Sequence, residues 1–90
     1  MDVKVYVGLI LTPSGYRAVI PEFEEAISLG HSFIEAKTNC GDSISRAFDG
    51  KVQIARHPII VVKTATLNYL RKNGLPRDQF IDIIEVTINR

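Results

Sequence analysis

The sequence predicts a single α+β domain, residues 1–90, in which an antiparallel sheet of three to four strands is covered by one long helix and accompanied by a short second helix. Three observations carry this. Val3, Val5, Val7, Leu9 and Leu11 form an unbroken period-two row, the repeat of a strand with one buried face. Thr12-Pro13-Ser14-Gly15 follows, with a proline to preset φ and a glycine to accept a positive φ, which is the chemistry of a tight reversal into a hairpin. Between Phe33 and Phe48 the apolar residues instead recur at three- and four-residue steps, the spacing of an amphipathic helix.

The elements follow in order. Lys4, Tyr6, Gly8 and Ile10 oppose the aliphatic row of the first strand. Tyr16 to Ile20, rich in aromatic and β-branched residues, makes the second arm of the hairpin, and Pro21 closes it because proline cannot donate to a ladder. Ala26 to Leu29 makes a short third strand ended by Gly30. Ser32 followed by Glu35 is a capping-box spacing and starts the long helix, whose buried stripe is Phe33, Ala36, Cys40, Ile44, Ala47 and Phe48 and whose C-terminal cap is Gly50. After Pro58, the run Ile59-Ile60-Val61-Val62 reads as a short buried strand or an extended segment packed beneath the helix. Thr64 or Thr66 then caps a brief helix through Leu67, Leu70 and Lys72, stopped by Gly74 and Pro76. The density of Ile and Val from Phe80 to Ile88 favours a last strand over a helix starting at Pro76.

Composition narrows the function classes. With 46% hydrophobic and 23% charged residues the chain is an ordinary globular one, and a domain of 90 residues buries its surface inefficiently, which favours a homo-oligomer. A net charge of +1 supplies none of the broad positive field of nonspecific nucleic-acid binding. One cysteine allows no internal disulfide and no thiolate zinc site. No run approaches the roughly 20 apolar residues of a membrane span, and the expected compartment is the cytoplasm.

Candidate chemistry is sparse. His31 and His57 are the side chains that titrate near neutrality, but both read as loop residues, and two histidines without spaced carboxylates do not make a metal site. Cys40 falls on the apolar helix face and reads as core. Glu22, Glu24 and Glu25 read as a solvated acidic loop. No Gly-rich Lys-Ser/Thr phosphate loop and no Gly-x-Ser-x-Gly turn is present, so no catalytic residue, cofactor or metal is predicted and the chain is read as a non-enzyme. Candidate nucleic-acid or partner contacts are the basic residues Arg46, Lys51, Arg56 and Lys63, after the long helix, and Arg71 and Lys72, near Arg77; Asp42, Asp49 and Asp78 dilute them.

From Tyr16 to Ile44 the order of parts, with Pro21, Glu22, Phe23, Gly30, Ser32, Glu35, Ala36, Asn39 and Cys40 at kept spacing, resembles the HicB family of antitoxins and their stand-alone relatives. Glu24, Glu25 and Ala26 stand where that family usually has Pro, Gly and Cys. The resemblance implies a β-β-β-α-β arrangement similar to a partial ribonuclease H fold, lacking that enzyme's metal-binding carboxylates. It also implies a non-catalytic module that binds a small protein, such as a HicA-like ribonuclease toxin. The residues after the core leave too little length for the DNA-binding module of longer HicB antitoxins. The alternative reading is a nucleic-acid-binding regulator whose homo-oligomer joins the six basic residues into one surface.

Overall fold

The computed structural model describes residues 2–23, 25–48 and 55–89. Its strands are β1 (Asp2–Thr12), β2 (Gly15–Val19), β3 (Ile27–Gly30) and β4 (Phe80–Asn89); its helices are α1 (Phe33–Phe48) and α2 (Ile59–Lys72), with a single 3-10 turn at Arg77–Gln79. The four strands form one antiparallel sheet, as expected, and their order is β3-β2-β1-β4. The β1–β2 hairpin turns through Pro13 and Ser14, with Gly15 at φ +119°, a conformation that costs glycine little.

The direction of β4 follows from the two helices. Each strand or helix reverses the course of the chain, so a single helix after β3 would return β4 parallel to β1. The second helix adds one more reversal, and β4 enters antiparallel, pairing with β1 from Asp2↔Asn89 to Ile10↔Phe80 with an irregularity after Leu9.

Each face of the sheet has its own helix. Val5, Val7, Leu9, Ala18, Ile20, Leu29, Val86 and Ile88 point to one face and pack with Ala36, Cys40 and Ile44 of α1. Ile10, Val19 and Ala26 belong to a second cluster with Leu70 of α2, flanked by Leu67, Tyr69, Leu75 and Phe80. Full burial of side chains such as Leu9, Ile44 and Leu70 contributes about 1.5–3 kcal/mol apiece. The expectation of a strand with one buried face is thus corrected: Gly8 and Ile10 are buried as well, because α2 covers them, while Leu11 at the end of the row is 38% exposed.

At the start of α1 the Ser32 hydroxyl accepts the N–H of Glu35 at 3.1 Å, one of the two bonds of a capping box. Ala36, Cys40 and Ile44 are fully buried, but Phe33 and Ala47 are exposed, because the four-residue stripe facing the sheet is narrower than the full apolar set. The predicted cap at Gly50 lies outside the described residues.

The largest correction concerns Ile59 to Val62, which form the first turn of α2 and no strand. The Pro58 carbonyl accepts the N–H groups of Val61 and Val62 at 3.0 and 3.2 Å, opening the helix. Burial of Val62, Thr66 and Leu70 at four-residue steps then outweighs the strand preference of the β-branched run. Thr64 and Thr66 consequently sit inside the helix and cap nothing; the Thr66 hydroxyl donates to the Val62 carbonyl at 2.7 Å.

Candidate functional site

The sequence-predicted basic set is not brought together. Arg46 lies in the last turn of α1, on one side of the sheet, with its Nε donating to the Asp42 carbonyl of its own helix. Lys63, Arg71 and Lys72 lie on α2, on the other side. Lys51 is outside the described residues. Arg71 donates to Asn68 at 3.1 Å and, with Arg77, borders a shallow depression of about 340 Å³ floored by Leu67 and Leu75.

Arg56 is committed to the fold. Its guanidinium donates to Tyr6 Oη at 3.1 Å and to the Lys4 carbonyl at 3.2 Å, pairs with Glu85 at 3.2 Å, and stands 4.8 Å from the centre of the Tyr6 ring. It therefore ties the segment before α2 to β1 and β4, with its charge offset by Glu85. A neighbouring pair does the same for the β2–β3 loop. Glu22 Oε2 lies 3.0 Å from His57 Nε2 and accepts the Ala55 N–H at 2.9 Å. Glu22 was expected in a solvated acidic loop and is instead half-buried; His57 is the loop residue expected, and the structure half-buries it against Glu22. His31 stays an exposed residue ahead of α1.

Cys40 is fully buried, and burial pushes its thiol up to about 12, so at neutral pH it carries no thiolate. No group of three His, Cys, Asp or Glu side chains able to share a metal ion occurs among the described residues. No helix of the described residues is long and apolar enough to cross a membrane.

The surface feature that sequence reasoning missed is apolar. Ile59, Ile60 and Val61 are 49%, 68% and 40% exposed, and Ile60 and Val61 border an open depression of about 360 Å³ with Thr64, Ala65 and Asn68. The signal was present in the sequence. Four consecutive β-branched residues in a helix cannot all face the sheet, since successive side chains point about 100° apart. A second small apolar spot lies at the start of α1, where Phe33 meets Tyr16 edge-on with ring centroids 6.0 Å apart and Ile34 is 79% exposed.

Compared with known proteins, the chain matches no family model, no curated protein and no solved structure.

Proposed function

We propose that the chain is a non-catalytic protein-binding module, a HicB-like antitoxin or orphan relative, that holds a small protein partner such as a HicA-like ribonuclease toxin. The observation that carries this reading is the exposed aliphatic turn of α2, Ile60 and Val61, beside a depression walled by Thr64, Ala65 and Asn68. Exposed aliphatics around a concave surface suit the apolar centre of a protein interface. The class of partner comes from the HicB-like spacing of Pro21, Gly30, Ser32, Glu35 and Asn39 in the sequence. The nucleic-acid alternative draws less support, since Arg46 and Arg71 lie on opposite sides of the sheet and Arg56 is neutralised by Glu85.

The test is coexpression with a HicA-like ribonuclease toxin, reading growth and co-elution of the two proteins. Relief of toxicity with a stable complex is the expected result, and Val61→Asp weakens that complex while leaving the circular dichroism spectrum unchanged. Growth arrest with no complex formed overturns the reading. Salt-sensitive binding to DNA or RNA in place of protein binding would transfer it to the regulator.

A further inference from the structure

The two edges of the sheet are unlike. β3, at one edge, is four residues long, ends in Gly30 and has an irregular register with β2. β4, at the other, runs ten residues from Phe80 to Asn89 with β1 on one side and, among the described residues, no strand on the other. Proteins blunt such an edge with lysine, proline or short length. The sequence Phe-Ile-Asp-Ile-Ile-Glu-Val-Thr-Ile-Asn has no lysine, arginine or proline; its charges are Asp82 and Glu85, and its one register irregularity falls at Ile81, between the Leu9↔Asp82 and Ile10↔Phe80 pairs, which leaves Asp82 to Asn89 regular.

The surroundings of this edge are apolar. Ile81 is 40% exposed and Ile83 is half-buried. On α2, Ala65 and Tyr69 lean toward Val19 and Phe23, on the β2 side. With 3.6 residues per turn, Ile59 and Lys63 lie across the buried stripe from them, on the β4 side, and Ile59 is 49% exposed. Arg56, three residues before Ile59, reaches Glu85 and so sets the first turn of α2 level with the middle of β4.

We infer that β4 is the seam of a two-fold homodimer, pairing antiparallel with the β4 of a second copy of this chain to make one continuous eight-stranded sheet. A second copy is favoured over a foreign peptide for three reasons. Antiparallel pairing of a strand with itself about a two-fold axis is self-complementary and uses up both edges at once, so the assembly closes without growing into a fibre. The charge pattern permits it: an axis at Ile83 sets Asp82 opposite Ile84 and Glu85 opposite Ile81, and an axis at Ile84 sets them opposite Val86 and Ile83, so no carboxylate stands directly opposite another. Ile59, 49% exposed on the β4 side of α2, and Ile81, 40% exposed on β4 itself, flank the seam and extend the apolar contact beyond the main chain. The Asp82 carboxylate accepts the Ile83 N–H at 2.8 Å in the free chain, and the incoming strand replaces that local bond with a main-chain carbonyl.

The inference concerns self-association and stands apart from the identity of any other partner. Light scattering coupled to size exclusion on the purified chain is expected to give twice the 10.0 kDa chain mass. Ile81→Lys, at an exposed position, is expected to weaken the dimer on the order of thirtyfold or more while leaving the circular dichroism spectrum native. Single cysteines at Ile81, Ile83 and Ile84 supply the second readout: oxidation cross-links two copies best at the position on the axis, where the two Cα atoms come within disulfide reach. A monomeric wild-type chain overturns the inference. So does a dimer that is indifferent to Ile81→Lys and cross-links at none of the three positions. A monomer that still binds the toxin would end the dimer seam alone, whereas a dimer that binds no toxin would leave it standing.

Discussion

Gly8 of β1 lies directly beneath Thr66 of α2, so close that a methyl group built on Gly8 would run into the Thr66 hydroxyl and come within 2.9 Å of its Cβ and Cγ2 atoms. The missing side chain lets the second helix settle on the sheet, and the buried Thr66 hydroxyl is satisfied within its own helix by the Val62 carbonyl. Gly41 serves α1 in the same way on the opposite face, where an added Cβ would stand 2.5 Å from the Thr87 carbonyl oxygen of β4.

Gly8→Ala is therefore expected to destabilise the domain by about 1–3 kcal/mol through overpacking. Thr66→Ala removes the colliding hydroxyl and methyl groups, so the double variant is expected to lose less than the sum of the two single changes. Urea melts on the four proteins of the cycle check this, and strict additivity would mean that the helix slides aside without cost.

Cys40 gives a pH signature. Its folded pKa is raised from 9.0 to about 12 by burial, so the neutral thiol is the form the fold holds. Below pH 9 the group is protonated in both states and adds no pH dependence. Between about 9 and 12 the unfolded thiol ionises and the folded one does not, so stability falls as pH rises, by at most about 1.4 kcal/mol per unit. Wild-type and Cys40→Ala melts at pH 8 and pH 10 isolate this slope from tyrosine and lysine titration. A thiol reagent at neutral pH is expected to label Cys40 only at the rate of unfolding.

Glu22 anchors the segment before α2 through the Ala55 N–H and His57. Glu22→Ala is expected to cost on the order of 1 kcal/mol and to abolish hydrogen-exchange protection at the Ala55 amide while leaving that of the β1–β2 ladder intact. Unchanged protection at Ala55 would show that the segment is held by Arg56 alone.

Ser32→Ala removes the acceptor for the Glu35 N–H and is expected to destabilise the protein by about 1 kcal/mol, with Ser32→Asp restoring most of it. Thermal melts of the two variants distinguish a capping role from a packing one.

The sequence by itself determined the elements whose physics is local. The period-two row of β1, the Pro13-Ser14-Gly15 turn, the Ser32 cap and the 3.6-residue stripe of α1 each follow from neighbours a few residues apart, and each stands in the structure close to where those neighbours put it. Tertiary structure decided the rest. Ile59 to Val62 had strand-forming residues and helical surroundings, and burial of Val62, Thr66 and Leu70 against a distant Gly8 settled them as helix, leaving Ile60 on the surface. The same crossing set Arg56 on Glu85 and Glu22 on His57, pairs separated by 29 and 35 residues, which no local spacing encodes. It also divided the basic side chains between the two faces of the sheet. Helix and strand periodicity say which face of an element is apolar; which element covers that face, and which apolar side chains stay exposed, depends on contacts between segments far apart in the chain.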